Sequence, residues 1–337
     1  MSLEANAQSI FAAHQTFHPR FGWLKKGFDA VEKDPTVFSR EDAPVVLGVG
    51  KNMVEAIRFW SQAFKVIAPE KKVGKGRSST YTTTDFGRVF LGDDGIDPYL
   101  EDSTSLWILH WMLCSPVSQV PVWWLAMNEF TPVEFTDDSL QEFIKEKVDA
   151  SIWKTPSSSS LKKDVDAFLR MYLRREARGR QTIDDLLDSP FRELGLISDS
   201  AAHHGHYRLN NGKKASLTST AVAFAALDFL AAVDADARTM SFTRLAYETN
   251  SVGKVFRLPL DVLATLLEEA ASDDLGLSIA NPGGVQQLVL ADRPEVVARN
   301  ILASHFGVSK RALTTLNPLS PGLGQLALPE PALFEAV

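Results

Sequence analysis

Between Lys51 and Lys65, side chains of two chemical kinds repeat at helical spacing. Lys51, Glu55, Arg58, Gln62 and Lys65 fall on one face, and Met53, Ile57, Trp60 and Phe64 on the other. Amide and guanidinium groups on an exposed helix can read base edges bidentately in the major groove. Asn52, Glu55, Arg58 and Gln62 are the candidates for that chemistry. The cations Lys51, Lys65, Lys75 and Arg77 suit phosphate neutralisation, which sets register rather than sequence preference. From Lys51 to Arg77 seven basic residues face two acids, Glu55 and Glu70, in a chain of net charge −7. A basic patch on an acidic body is the mark of a localised nucleic-acid site. The competing reading of the same face is a solvated surface or a protein contact.

Other constellations carry less. Leu47-Gly48-Val49-Gly50-Lys51-Asn52 imitates a phosphate-binding loop, but Val45 stands where the first glycine is required and Asn52 where a magnesium-ligating hydroxyl belongs. His203-His204-Gly205-His206 offers imidazoles without a cysteine to complete a zinc set, so a turn-flanked loop is the expectation. His14 and His18 lack the glutamate of a zincin pair. The acids Asp93, Asp94, Asp97, Glu101 and Asp102 can be a magnesium-binding cluster or a solvated loop and helix start. A second basic run holds Arg170, Arg174, Arg175, Arg178 and Arg180, with Lys162 and Lys163 upstream. No standard nuclease signature, Ser/His/Asp elbow or Rossmann glycine pattern is present.

Elements must position these groups. Phe21, Leu24, Phe28 and Val31 predict a helix over residues 20–32. Ser39, with Glu41 and Asp42 behind it, predicts the start of a second helix that ends at Gly48-Val49-Gly50. The Lys51–Lys65 helix follows. Val66-Ile67 and Tyr81-Thr82-Thr83 then read as two strands around a basic loop over 71–79, and Thr84 as the cap of a further helix. Two helices joined by a glycine turn, then a hairpin with a basic tip, is the winged-helix order.

The fold expected is mainly α: a winged helix-turn-helix unit over 1–92, a helical unit over 93–200, a helical or winged-helix-like unit over 201–306 and a tail over 307–337. Helices are expected over Leu161–Arg175 and Thr182–Leu194, after a solvated connector from Thr155 to Ser160. The late unit would use Phe242–Glu248, Pro259–Ala271, and strands Leu275–Ile279 and Val285–Leu290 around Asn281-Pro282-Gly283-Gly284. Thr218–Val233 is apolar but interrupted by Asp228, which predicts a core helix rather than a membrane span. Absence of a basic and apolar leader, and the single cysteine, Cys114, predict a cytoplasmic protein with that thiol buried beside Trp107, Trp111 and Leu113.

The block His14-Gln15-Thr16-Phe17-His18-Pro19-Arg20-Phe21-Gly22-Trp23-Leu24-Lys25-Lys26 resembles the SspB-type family of bacterial DNA phosphorothioation gene clusters. So do Val37-Phe38-Ser39, Leu47-Gly48-Val49-Gly50-Lys51-Asn52-Met53-Val54 and Ser251-Val252-Gly253-Lys254-Val255-Phe256-Arg257-Leu258. The resemblance implies work on DNA in which a non-bridging phosphate oxygen is replaced by sulfur, in anti-phage defence. It implies a cysteine desulfurase, an ATP-pyrophosphatase-like sulfurtransferase and an ATPase as partners, with DNA nicking to open the backbone. A nickase would use Mg2+ or Mn2+ to stabilise charge on the scissile phosphate. Arg20 and Lys25 of the block join the candidate DNA contacts, and no catalytic residue follows from it. The rival expectations are a non-catalytic DNA-binding adaptor that recruits the sulfur-transfer machinery, and a protein-interaction scaffold.

Overall fold

The computed structural model describes residues 2–70, 80–173, 189–309 and 313. Among them thirteen α-helices carry the chain, with strands of two to four residues gathered in three small sheets. The protein is mainly α, as the sequence predicts.

The first helices are α1 (Trp23–Lys33), α2 (Ala43–Leu47) and α3 (Lys51–Ala63). α1 buries Trp23, Leu24, Phe28 and Val31 against α3. The second helix is shorter than expected. Val37–Ser39 forms a separate 3-10 turn, and α2 begins only after Asp42, with Pro44 in its first turn. Proline is accepted there because its missing N–H would have no partner anyway. Gly48, at φ 63°, closes α2 in the left-handed conformation that glycine adopts freely. α3 buries a wider face than its apolar spacing suggests: Val54, Ala56, Phe59, Ser61 and Ala63 are covered with Ile57 and Trp60.

Strands β1 (Ile67–Pro69) and β2 (Tyr81–Thr83) pair antiparallel, with Ala68 opposite Thr82. Thr84 then starts α4 (Asp85–Leu91) as a cap in two directions. Its hydroxyl oxygen accepts from Gly87 N at 2.9 Å and donates to the Lys65 carbonyl at 2.6 Å. That bond fixes the beginning of α4 against the end of α3. A Cβ on Gly87 would overlap the carbonyl oxygen of Val66, so this approach is open to glycine alone.

Three helices are buried almost all round: α5 (Ser103–Cys114), α6 (Pro121–Asn128) and, after α7 (Asp137–Asp149) and α8 (Ser158–Tyr172), α9 (Ser219–Val233). Such helices lie inside a molecule rather than on it. Their tryptophans bring polar N–H groups that need acceptors. Trp111 donates to Asp228 at 2.7 Å, Trp124 to Asn250 at 2.7 Å and Trp107 to Ser216 at 3.2 Å. Asp228 is therefore a buried acceptor within the apolar helix that it interrupts. The core is contiguous from Leu3 to Leu313.

α8 starts at Ser158 with Ser157 as its cap, so only 155–157 remain of the expected connector. Pro190–Leu194 is a 3-10 turn capped by Ser189, and residues 182–188 of the helix expected over 182–194 lie outside the described residues. A sheet that the sequence does not suggest follows, with β3 (Glu134–Phe135), β4 (Ile197–Asp199) and β5 (Tyr207–Leu209) in the order β3-β5-β4. The late segment runs β6 (Thr239–Ser241), α10 (Phe242–Tyr247), α11 (Val252–Val255), α12 (Leu260–Ala270), β7 (Leu277–Ala280), β8 (Gln287–Leu290) and α13 (Pro294–Phe306). Its strands pair antiparallel in the order β6-β8-β7, so the expected late hairpin is present and gains β6 as a third strand. Among the described residues no helix is long and apolar enough to cross a membrane.

Candidate nucleic-acid interface

The family-like block at residues 14–26 runs along α3 as an irregular segment before it becomes α1. His14 and His18 therefore do not share a helix face. Ala12, Gln15 and Thr16 hold positive φ of 55°, 52° and 69°. Each left-handed non-glycine residue costs roughly 1–2 kcal/mol. Four long-range hydrogen bonds hold the segment in place. Buried Asp164 on α8 accepts from His14 Nε2 at 2.6 Å and from Ala12 N at 2.9 Å. Trp60 of α3 donates to the Phe17 carbonyl at 2.9 Å, and Gln15 donates to Glu55 at 2.6 Å. The His14 ring stacks on Trp60, with centroids 5.8 Å apart, and meets Phe59 and Trp123 at its edges. At 1% exposure His14 cannot reach DNA. Burial raises the pKa of Asp164, against the lowering effects of His14 and the Ala12 N–H.

This segment changes the assignment of α3. Lys51 and Asn52 are exposed in its first turn, and Arg58, half-buried, lies two turns on along the Lys51 face. Glu55 is tied to Gln15, which corrects its expected role as a free reader of base edges. Gln62 turns back on its own helix, its amide donating to the Arg58 carbonyl at 3.2 Å. Lys65 is the clearest correction. It lies beyond the helix end with φ 60°, only 9% exposed, and its ammonium donates to Ser115 Oγ at 2.6 Å and to the Ser115 carbonyl at 3.2 Å. Burial lowers its pKa to about 8, opposed by the charge of Asp228. Lys65 is a core ammonium and not a phosphate contact.

The two candidates from the block also differ. Arg20 lies over the faces of Phe17 and Trp23, 5.7 Å from each ring centre, and remains half-exposed. Lys25 donates to Asp29 at 2.7 Å and Asp93 at 3.0 Å. Partial burial works to lower its pKa, and the two carboxylates outweigh it and raise it. Lys25 is thus committed within the protein. Lys75 and Arg77, with Lys71 and Lys72, lie outside the described residues, as do Arg174, Arg175, Arg178 and Arg180.

Magnesium or manganese would need converging oxygen ligands. Among the described residues no group of three or more His, Cys, Asp or Glu is placed to hold a metal ion. The acids expected as a cluster have other work. Asp93 pairs with Lys25, Asp97 accepts from the Glu101 and Asp102 amides at 2.9 and 3.0 Å, and Asp102 caps α5 and meets His305 at 3.0 Å. Asp93, Asp97 and Asp102 are thus committed to contacts within the protein. The 203–206 imidazoles sit in the β4–β5 turn, where His203 Nδ1 meets Glu134 at 2.6 Å, a partner supplied by β3 and invisible in the motif. Cys114 is buried as expected, and burial pushes its thiol pKa up.

Fold and site together define a mainly helical protein whose accessible polar chemistry near α3 is cationic and amide-bearing. The chain belongs to the family described as Protein of unknown function (DUF4007), which matches residues 11–306. No curated protein matches it. Two solved structures do. One is described as SspB, with a TM-score of 0.84 and 34% identity, covering 92% of this chain and 94% of that one. The other is a magnesium ion-bound SspB, with a TM-score of 0.83, 35% identity and the same coverage. The likeness to SspB-type proteins expected from the 14–26 block is thus shown over nearly the whole chain.

Proposed function

We propose that this protein is a DNA-handling subunit of a DNA phosphorothioation system, acting in the cytoplasm in anti-phage defence. The observation that carries the reading is the likeness to SspB at 34% identity over 92% of the chain. The exposed chemistry of α3 agrees with it. On this reading α1 to α3 and the β1–β2 hairpin act as a winged helix. Lys51, Asn52 and Arg58 meet the duplex, Arg20 flanks them, and Lys75 and Arg77, which lie outside the described residues, neutralise phosphates. The bound duplex is nicked for sulfur incorporation, with a cysteine desulfurase, an ATP-pyrophosphatase-like sulfurtransferase and an ATPase as partners. One of the two SspB relatives is magnesium-bound, which supports testing divalent ions. No step is assigned to a metal, because no group of three or more described His, Cys, Asp or Glu is placed to hold one.

Supercoiled plasmid incubated with the purified protein, with magnesium, manganese or EDTA, tests nicking directly. Metal-dependent open circles support it. Salt-sensitive binding without relaxation supports a second reading, the non-catalytic adaptor, which is favoured by the lack of any gathered ligand set among the described residues. Absence of salt-sensitive DNA binding would overturn both.

A further inference from the structure

The Ser251–Leu258 segment builds one wall of a cleft of about 270 Å³ whose other walls come from the end of α6, the loop after it and the loop at Asn211. Asn128, Thr131, Asn211, Tyr247, Lys254 and Arg257 line it with apolar neighbours, and no acid does. The cleft thus holds two cations and no carboxylate, in a chain that carries seven more acidic than basic side chains.

The cations are held by construction. Arg257 donates through Nε to Asn211 Oδ1 and through Nη1 to the Phe130 carbonyl, both at 3.0 Å. Its other terminal nitrogen has no protein acceptor among the described residues. The Lys254 ammonium makes no hydrogen bond or ion pair with any described residue, although the Lys254 backbone N–H donates to the Ser251 carbonyl at 3.1 Å. Behind the wall, buried Lys214 donates to the carbonyls of Phe256 and Arg257 at 2.7 and 2.8 Å. Those bonds hold Arg257 at a φ of 56°, a conformation that side chains other than glycine rarely keep without support. A Cβ on Gly253 would overlap the Ala246 carbonyl, so glycine is what lets α11 press against α10 and set Lys254 beside the cleft. At the rim Tyr247 is 57% exposed, an aromatic face without a covering partner. Burial lowers the pKa of Arg257, and burial followed by the charge of Arg257 lowers that of Lys214 to about 7. An entering anion would relieve both.

We propose that this cleft binds one nucleotide, its phosphate between Lys254 and Arg257 and its base against Tyr247, with Thr131 and Asn211 as hydrogen-bonding partners. The volume of about 270 Å³ falls just below the range usual for ligand sites, roughly 300–1,000 Å³, which leaves room for at most a single nucleotide rather than a run of them. A free 5′-mononucleotide and the 5′-phosphorylated end of a strand offer the same chemistry. The site lies apart from α3 in sequence and does not depend on the DNA reading of that helix.

Calorimetric titration of the full chain with dAMP, inorganic phosphate and deoxyadenosine tests the proposal. Saturable dAMP binding at least about tenfold tighter than either fragment is expected. Lys254→Gln should weaken dAMP at least tenfold with an unchanged melting curve, and Tyr247→Leu should weaken dAMP while leaving inorganic phosphate as it was. Lys51→Ala with Arg58→Ala should leave dAMP binding intact, which separates this site from α3. Competition by a 5′-phosphorylated oligonucleotide, with none from its unphosphorylated twin, assigns the strand end as ligand, and silence from both assigns the free nucleotide. No dAMP binding at millimolar concentration, binding indifferent to Lys254→Gln, or phosphate as tight as dAMP would overturn it.

Discussion

His14 and Asp164 are 150 residues apart and meet at 2.6 Å, with side chains 1% and 5% exposed. The pairing ties the family-like segment to α8 and, through the His14 ring on Trp60, to α3. A buried pair loses most when one member is removed, because the other is left without its partner in a dry site. His14→Ala takes from Asp164 its only side-chain donor among the described residues and leaves it the Ala12 amide. Asp164→Ala also strips that amide and lets the left-handed turns relax. Each substitution is expected to cost about 3 kcal/mol of unfolding free energy, read as a lowered urea midpoint at unchanged slope. An unchanged midpoint for both would mean the pair holds nothing.

The DNA face of α3 separates from its buried members by salt dependence. Removing one cation from a phosphate reduces the slope of log affinity against log salt by about 1. Lys51→Ala with Arg58→Ala should therefore flatten the slope by about 2 and weaken duplex binding. Lys65→Met, with its ammonium among Ser115 and Pro116, should leave the slope alone and act on stability only. Equal slopes in all three proteins would remove α3 from the interface.

Much of this architecture is legible in local spacing. α3, the Thr84 cap and the core helix with Asp228 follow from periods and cap residues that act within a few positions. Lys65 and Glu55 escape such reading for the opposite reason. Their partners Ser115 and Gln15 stand 50 and 40 residues away, and a helical wheel cannot see them. β3, β4 and β5 span two or three residues each, too few for an alternating pattern. The second helix starts later than its sequence suggests because Ser39 imitates a cap while Pro44 sets the true first turn. In the late cleft only Ser251–Leu258 stands out in the sequence, by resemblance alone, since Asn128, Asn211 and Lys214 come to it from distant segments.

Gly87 is a test of close approach rather than of backbone freedom. α4 packs so near β1 that a methyl group there would strike the Val66 carbonyl, which is backbone and cannot swing aside. Gly87→Ala should destabilise by about 1–3 kcal/mol through the shift it forces, although alanine favours helices. Calorimetry would read a lower melting temperature. A rise would show that α4 moves without cost and that Thr84 does not fix it to the Lys65 carbonyl.

The pH dependence of stability should carry two signatures of opposite position and the same sign. His110 is buried, its Nε2–H donating to the Val255 carbonyl at 3.0 Å while Nδ1 accepts from the Tyr172 hydroxyl at 2.7 Å. Both nitrogens are satisfied by the neutral ring, and burial holds the pKa down to about 4 against a usual 6.5. Between those values the unfolded chain takes up a proton that the folded chain refuses, so stability is kept above about pH 6.5 and lost as pH falls towards 4. One pKa unit is about 1.4 kcal/mol, which makes the full acid loss from this group about 3 kcal/mol. Lys214 and Lys65, lowered to about 7 and about 8, act higher up. From there to the ordinary lysine value near 10.5 the unfolded chain again holds more protons, so these groups add stability as pH rises. Denaturant midpoints from about pH 4 to 9.5 should climb in both windows. His110→Gln should flatten the acid window and Lys65→Met the alkaline one, each by up to one proton. An acid window unmoved by His110→Gln would show that the ring already exchanges its proton with solvent and is not sealed by Tyr172 and Val255.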